Sequence, residues 1–254
     1  IVKARRPQDF QIANVEGTRH ILAAVSNLAP APRLIHISSL AAREPLLSPY
    51  AASKRAAEDL AAAVAERQAV TIIRPPAVYG PGDLEILPMF RAAARGICPH
   101  PRVAGMRLSM IHVEDLAGAI AGAVTTGRLP ELRYEVDDGK PGGYTWREIA
   151  LALEQAFGRR VMPIAVPRLG VTAVAALGQL RQKMGGEIRA LSLTKVPELV
   201  HPDWVARGPS LWAQVPPKPS INLTKGFQDT LAWYSKSGYL KTKDYPNQRT
   251  SDAS

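Results

Sequence analysis

A strand, a helix and a second strand, between residues 33 and 74, constrain the fold of this chain more than any other stretch. Arg33 to Ser39 is a short apolar strand that ends in two serines, and Thr71 to Arg74 is a second apolar strand. The helix between them starts at Ser48 and Pro49, which are favoured at the N-cap and the first helical position. Strands joined by a helix run parallel, and ligands bind at the carboxyl ends of parallel strands. Ser39 and the Pro75 loop lie at those ends.

The helix carries a tyrosine and a lysine that can act together. Tyr50 and Lys54 are four residues apart and therefore leave the helix on the same face. A phenol titrates near pH 10, and a nearby ammonium lowers that pKa by favouring the phenolate. A phenol tuned in this way can exchange a proton with a carbinol or carbonyl oxygen. The pair alone occurs in many helices that have no catalytic role, so the surrounding motifs decide its meaning.

Five motifs occur together in the first 150 residues. They are Asn14-Val15-Glu16-Gly17-Thr18, Ile37-Ser38-Ser39, Tyr50-x-x-x-Lys54, the stretch from Arg74 to Asp83, and His112-Val113-Glu114-Asp115-Leu116. In this order they resemble the extended short-chain dehydrogenases/reductases, the NAD-dependent epimerase/dehydratase superfamily. The resemblance implies an α/β fold: a Rossmann-like, doubly wound parallel sheet, incomplete at its N-terminus, followed by a smaller α/β substrate domain.

The resemblance also implies a role for each matching residue. Ser39 would orient the substrate oxygen, Tyr50 would be the general acid/base, and Lys54 would lower the pKa of the tyrosine while holding the nicotinamide ribose. The cofactor would be NAD or NADP, and the residues expected around it are Asn14, Ser38, Tyr50, Lys54, Pro75 and Val78. We predict no metal site.

Two departures from the family pattern affect these expectations. The glycine-rich loop G-x-x-G-x-x-G is absent, and Ile1-Val2-Lys3-Ala4 resembles the end of the fourth family strand. We therefore expect this sequence to lack about half of the dinucleotide domain and to bind NAD(H) or NADP(H) poorly, because a helix N-terminus normally holds the pyrophosphate. Secondly, Ala77 lies where enzymes of nucleotide sugars usually have an asparagine. This favours a poorly charged carbonyl or alcohol over a sugar nucleotide, as in the hydroxysteroid and dihydroflavonol reductases.

Charge and cysteine content limit the partners. The net charge of +10 is spread evenly over both halves, without a basic arm, which argues against nucleic-acid binding. Cys98 is the only cysteine, which is compatible with a reducing cytoplasm. The longest apolar run, Val171 to Leu180, is too short for an integral membrane segment. We expect a small-molecule carbonyl, alcohol or sugar-nucleotide substrate, and the sequence allows a homodimer.

The remaining pattern gives the domains and elements. We predict the dinucleotide-binding part at residues 1–130, a substrate domain at 131–240 and a disordered tail at 241–254. Helices are predicted over Phe10–Leu28, Asp83–Cys98 and Leu169–Met184, and a capping box from Thr145 to Glu148 opens another. For the apolar stripe of the Leu169 helix, core packing is favoured over an apolar pocket or a membrane surface. His112 is expected to be structural.

The predicted reaction is hydride transfer between NAD(P) and a carbinol or carbonyl carbon, as an oxidoreductase or as an epimerase/dehydratase. A non-catalytic binding or structural subunit is the alternative from another class. Ser39, Tyr50 and Lys54 argue for the enzyme, and the missing phosphate loop argues for the alternative.

Overall fold

The computed structural model describes residues 1–183, 192–216 and 218–241. The predicted tail from residue 242 and the end of the predicted helix at Met184 lie outside these residues. The chain begins with helical segments in direct succession: α1, a π-helical stretch and α2, at Pro7–Phe10, Gln11–Glu16 and Gly17–Ser26. The sequence predicted one regular helix here. The wider π-helical turn instead lets two successive residues, Asn14 and Val15, turn inward and become buried.

Further strands and helices follow a regular βα order at first. Those of the first half are β1 (Leu34–Ile37), α3 (Pro49–Ala63), β2 (Val70–Arg74), β3 (Ala77–Tyr79), α4 (Leu87–Ala93), β4 (Ile97–Pro101), β5 (Arg107–Leu108), β6 (Met110–His112) and α5 (Val113–Thr125). Those of the second half are β7 (Arg133–Glu135), α6 (Trp146–Phe157), β8 (Met162–Val166), α7 (Arg168–Lys183), α8 (Val196–Leu199), β9 (Asp203–Trp204) and α9 (Leu223–Lys236). Short 3₁₀ helices lie at Leu40–Arg43, Leu193–Lys195 and Leu211–Ala213.

The main sheet is parallel and has the strand order β1-β2-β7. Leu34 pairs with Val70 and Ile37 with Ile73, so the carboxyl ends of β1 and β2 lie side by side, as the strand–helix–strand pattern predicted. Ile73 and Tyr134 pack with Ile111 and the inward face of α5 in the core beneath this sheet. Strand β7 belongs to this sheet although it follows the predicted domain division at residue 130.

A second layer is built from both halves of the chain. Strand β4 pairs with β8, β3 with β6, and β5 with β9, each pair parallel. Helices α4, α6 and α9 share one aromatic core, in which Phe90 contacts Phe157, Phe227 and Tyr234 with ring centroids 5.1 to 5.9 Å apart. Residues 87–101 therefore pack with the part that the sequence assigned to a separate domain at 131–240. The two parts of the molecule are interleaved along the chain.

The helix predicted from Asp83 to Cys98 is wrong in extent. Asp83 accepts hydrogen bonds from the N–H groups of Glu85 and Ile86, at 2.7 and 3.4 Å, and so forms a turn. Helix α4 covers only Leu87–Ala93, and Gly96 adopts a φ of +81°. Cys98 then lies in β4, paired with β8. The apolar residues that suggested one helix therefore belong partly to the short helix α4 and partly to the strand β4.

Three local predictions are confirmed. Ser48 caps α3 by accepting a hydrogen bond from the N–H of Ala51 at 3.0 Å, with Pro49 in the first turn. Thr145 and Glu148 form the predicted capping box at α6. His112 is structural: it caps α5 through a hydrogen bond that Nδ1 accepts from the N–H of Glu114 at 3.3 Å.

Helix α7 departs from the expectation of core packing. Val171 and Ala175 are buried against Val196, but Leu169, Leu177 and Leu180 are exposed. Only one side of the helix is therefore in the core.

Candidate functional site

Ser39 lies at the carboxyl end of β1 and is held by the backbone on both sides. The N–H of Ser38 donates to the carbonyl of Ile73 at 2.7 Å, which keeps the chain attached to β2. Ser39 is extended and caps the 3₁₀ helix Leu40–Arg43 by accepting a hydrogen bond from the N–H of Ala41 at 3.2 Å. Its hydroxyl therefore has a fixed position at the edge of the sheet.

Tyr50 projects from the first turn of α3 towards Ser39. Its ring is buried with Ala41 and Ala51, and Phe10 and Trp204 pack against this group; the Phe10 ring centroid lies 5.9 Å away. The Ser39 side chain acts to lower the pKa of Tyr50, against the effect of burial. The predicted partnership of Ser39 and Tyr50 in catalysis stays a prediction.

The acidity of Tyr50 differs from the expectation. Burial raises the pKa of Tyr50 to about 12, the hydrogen bond from Ser39 acts in the opposite direction, and the negative charge of Glu198 adds to the rise. The expected lowering of this pKa by Lys54 is therefore not what the structure shows. Desolvation penalises the phenolate, so Tyr50 is a neutral phenol at physiological pH.

Lys54 lies one helical turn after Tyr50. Its Nζ donates to the carbonyl oxygen of Ile37 at 2.7 Å, so the ammonium sits at the end of β1. Burial lowers the pKa of Lys54, and the carboxylate of Glu58 acts against this shift. An ammonium has three N–H donors, and the Ile37 carbonyl occupies one of them. Lys54 can therefore bind a further acceptor from this position.

Asn14 is buried against α3. Its Nδ2 donates to the hydroxyl of Ser53 at 2.9 Å, and that hydroxyl donates to the carbonyl of Tyr50 at 2.7 Å. The π-helical turn brings Asn14 to this position. Asn14 therefore fixes the helix turn that carries Tyr50, and a contact between Asn14 and the cofactor stays a prediction.

A groove of about 440 Å³ runs along β1 beside these residues. Asn14, His36 and Lys54 contribute its polar groups, and apolar side chains from α2 and β1 complete its wall. Within the described residues, Nε2 of His36 is buried and has no hydrogen-bond partner. Asn14 Nδ2 already donates to Ile1 and Ser53, so Lys54, with ammonium donors left over at the carboxyl end of β1, is the group that fits a hydroxyl of the cofactor ribose.

The two remaining predicted cofactor residues have different places. The carbonyl of Pro75 accepts a hydrogen bond from the N–H of Leu40 at 2.9 Å, so Pro75 lies beside the Ser39 loop. Val78 pairs with Ile111 and packs on the core beneath the main sheet. The structure thus brings Ser38, Ser39, Tyr50, Lys54 and Pro75 together, whereas Val78 points into the core.

Lys195 and Glu198, which the sequence did not suggest, complete the surroundings of Tyr50. Nζ of Lys195 lies 5.2 Å from the centroid of the Tyr50 ring. The hydroxyl of Ser48 donates to Oε2 of Glu198 at 2.6 Å, across 150 residues of sequence. A segment from the second half of the chain therefore covers the tyrosine. Sequence spacing carries no signal for such a distant pair.

A network of buried charges lies behind the site. Arg74 donates to both oxygens of Glu58, at 2.8 and 2.6 Å, and Glu58 is fully buried. Burial acts to raise the pKa of Glu58, but the hydrogen bonds and positive charge of Arg74 outweigh it and hold the pKa below its usual value. Glu58 follows Lys54 by four residues. The sequence signal for Glu58 was its spacing, because it continues the four-residue series of Tyr50 and Lys54 on one face of α3.

The described residues contain neither a metal-binding cluster nor a membrane-spanning helix. Among residues 1–183, 192–216 and 218–241, no group of three or more His, Cys, Asp or Glu side chains is placed to hold a metal ion. Every helix in those ranges is too short or too polar to cross a membrane.

Comparison with known proteins identifies the family. The sequence model of the NAD-dependent epimerase/dehydratase family matches residues 2–136. The chain belongs to this family. A ceramide reductase from Caulobacter vibrioides is 39 % identical to this family member over 241 residues, which cover 94 % of this chain and 73 % of the relative.

Solved structures confirm the Rossmann-like fold. The dTDP-glucose 4,6-dehydratase of Bacillus anthracis, in complex with NAD, is 18 % identical and has a TM-score of 0.63, covering 95 % of this chain and 73 % of its own. The UDP-glucuronic acid 4-epimerase of Bacillus cereus is 15 % identical with a TM-score of 0.65, covering 93 % and 73 %. At these identities the likeness concerns the fold alone.

Proposed function

We propose that this chain carries the catalytic residues of an NAD(P)-dependent reductase, which reduces an apolar ketone to an alcohol. The observation that carries the proposal is the Lys54 ammonium at the carboxyl end of β1, where Nζ donates to the carbonyl of Ile37, one helical turn from the buried phenol of Tyr50. The Ser39 side chain at the same strand end acts to lower the pKa of that phenol. In this reading Tyr50 is the acid, Ser39 positions the substrate oxygen, and Lys54 binds the cofactor ribose.

The proton and the hydride then have separate sources. The carbonyl carbon receives a hydride, which the reduced nicotinamide supplies when bound, and the carbonyl oxygen receives the phenolic proton of Tyr50. A tyrosine whose pKa is raised by burial keeps this proton at neutral pH. This supports reduction, because reduction requires a protonated Tyr50 to donate its proton to the carbonyl oxygen.

The substrate class follows from the walls of the site and from the named relative. Phe10, Ala41 and Trp204 surround the Tyr50 ring with apolar surface. Ala77 and Val78, in strand β3 directly after β2, provide no polar side chain where a nucleotide phosphate would need a donor. The relative that is 39 % identical is a ceramide reductase. We therefore propose a lipid ketone that carries an amide, and rank a sugar nucleotide below it.

Replacing Tyr50 by phenylalanine tests the proposal. In the intact protein, Tyr50→Phe keeps the ring packing and removes only the proton donor, so kcat for reduction of a long-chain keto-amide should fall by about 10²–10⁴-fold. The measurement is NAD(P)H consumption with product detection by mass spectrometry.

Tyr234→Phe is the matched control. Tyr234 is also buried, and its hydroxyl donates to the carbonyl of Asp83 at 2.7 Å, away from the site. Each variant loses one hydrogen bond, which is worth about 0.5–1.5 kcal/mol of stability, but only Tyr50→Phe should lose activity. A fully active, normally folded Tyr50→Phe protein would refute the role of Tyr50.

A further inference from the structure

Helix α7 presents leucines to solvent along one face. The exposed fractions are 84 % for Leu169, 64 % for Leu177 and 56 % for Leu180, and Ala173 between them is also exposed. These four residues, called the α7 face below, are spaced by four, four and three positions and so form one stripe along the helix. A single exposed leucine is ordinary, but a continuous apolar stripe marks a contact surface.

The opposite side of α7 fixes the orientation of the helix. Val171 and Ala175 are buried, at 8 % and 0 % exposure, and pack against Val196. Because this side already contacts the protein, the helix is held with the α7 face pointing outward. The apolar stripe is thus a stable surface feature of the fold.

The sequence of α7 and of the residues leading into it is basic. From Arg159 to Lys183 the sequence contains five arginines and lysines and no aspartate or glutamate. Arg168 is exposed at the start of the helix. Arg102 is exposed as well, and its backbone N–H donates to the carbonyl of Val166, just before the helix, at 2.8 Å. An apolar face with basic residues at its margin is complementary to a bilayer with anionic headgroups.

Helix α7 is also connected to the candidate active site. Val196, on which it packs, follows Lys195, whose ammonium lies over the ring of Tyr50. In the same short segment, Glu198 is hydrogen-bonded to Ser48 at the start of α3. The segment that covers the catalytic tyrosine is therefore placed between the site and α7.

We propose that the α7 face docks on the surface of an anionic lipid bilayer. The leucines enter the boundary between headgroups and acyl chains, and the neighbouring arginines contact the headgroups. This docking holds the cover of Tyr50 next to the membrane, where a lipid ketone resides. The purpose given to the docking, access to a lipid ketone, rests on the proposed function. The docking itself is inferred from the exposed apolar stripe and the basic residues beside it.

Vesicle flotation tests the docking. The intact protein is floated with phosphatidylcholine vesicles that contain phosphatidylglycerol, without substrate or cofactor. The unchanged protein should float, and Leu177→Asp should reduce the bound-to-free ratio at least about tenfold, because a leucine in the boundary becomes a charge. Val124→Asp is the matched control: Val124 is 59 % exposed on α5 and lies outside the α7 face. It should float like the unchanged protein.

Three results would overturn the proposal. They are failure of the unchanged protein to float, equal flotation of Leu177→Asp, and a loss of flotation in Val124→Asp as large as that in Leu177→Asp. A fourth contrary result would come from size-exclusion chromatography with light scattering. If the unchanged protein is a dimer and Leu177→Asp is a monomer, the α7 face binds a second copy of the chain instead of a bilayer.

Activity assays separate this inference from the proposed function. Leu177→Asp should reduce a short, water-soluble keto-amide at the normal rate but reduce a long-chain keto-amide in vesicles at least about tenfold more slowly. Tyr50→Phe should float normally and reduce both substrates about 10²–10⁴-fold more slowly. If the unchanged protein floats but reduces neither keto-amide, the proposed function fails and the docking stands. If it reduces the short substrate without floating, the docking fails alone.

Discussion

At the scale of single residues, burial dominates the chemistry of the site. Desolvation raises the pKa of Tyr50 to about 12 and lowers the pKa of Lys54, so each group is pushed towards its neutral form. The Ser39 side chain acts against the rise at Tyr50. A buried phenol that keeps its proton is suited to proton donation. Oxidation of an alcohol, the reverse reaction, would require the phenolate, and burial opposes its formation.

His36 should make the stability of the protein depend on pH. Burial lowers the pKa of His36 to about 4, and the positive charge of Lys54 contributes. The unfolded chain binds the proton near pH 6.5, so between pH 6.5 and 4 the unfolded state holds more protons than the folded state. The free energy of unfolding should therefore fall as the pH is lowered through this window, by up to about 3 kcal/mol.

The measurement is urea unfolding of the unchanged protein and of His36→Leu at several pH values from 7 to 4. Carboxylates titrate in both proteins, so the difference between the two curves isolates His36. His36→Asn, which is polar but does not titrate, should give a curve parallel to that of His36→Leu. A difference that stays constant over this pH range would contradict the burial of a neutral imidazole.

At the scale of secondary structure, side-chain caps decide where the helices begin. Ser48, Thr145 and Asn222 each accept a hydrogen bond from a backbone N–H in the first turn of α3, α6 and α9. These bonds satisfy donors that a helix start leaves without partners. The cap of α3 also sets the turn from which Tyr50 projects.

Removing the cap of α6 should destabilise the protein measurably. The Thr145 hydroxyl accepts from the N–H of Glu148 at 3.2 Å, and Glu148 accepts from the N–H of Thr145 at 2.8 Å. Thr145→Ala should lower the free energy of unfolding by about 1 kcal/mol, which calorimetry detects as a fall in Tm of about 2–4 °C for a protein of this size. Thr145→Ser keeps the hydroxyl and should stay near the unchanged Tm. Equal losses in both variants would assign the effect to the threonine methyl group.

At the scale of the whole molecule, Arg43 links the sheet to the second layer. Its guanidinium donates to the carbonyl oxygens of Val205 and Asp203, at 2.8 and 3.3 Å, and to Glu135 at 3.4 Å. Glu135 in turn accepts from the N–H groups of Arg207 and Gly208, at 2.6 and 3.0 Å. Arg43 follows Ser39 by four residues, so this link fixes the substrate side of the site to the loop after β9.

Arg43→Lys should loosen this link. Lysine keeps the charge but lacks the planar fork that reaches several acceptors at once, so the free energy of unfolding should fall by about 1–3 kcal/mol. Hydrogen exchange should accelerate at the amides of Arg207 and Gly208. Arg128→Lys, at an exposed position outside this link, is the control and should leave both measurements unchanged. Unaltered exchange in Arg43→Lys would show that the other contacts alone hold the loop.

The sequence by itself determined the features that depend on near neighbours in the chain. The Ser48 cap and Pro49 define the start of α3, the four-residue spacing places Tyr50 and Lys54 on one face, and the apolar runs on either side give parallel β1 and β2. These depend on hydrogen bonds and side-chain spacing within a few residues. The sequence motifs were also sufficient to identify the family.

Only the tertiary structure decided the features that depend on distant packing. It divided residues 83–98 between a turn, α4 and β4, because β8 offers β4 a partner. It brought Lys195 and Glu198 over Tyr50, and it set the direction of the tyrosine pKa, because burial depends on segments far apart in sequence. It also left the α7 face outside the core. An apolar stripe in the sequence predicts that one face of a helix is buried in a contact. Whether that contact is with the rest of this protein or with another molecule depends on where the other elements pack.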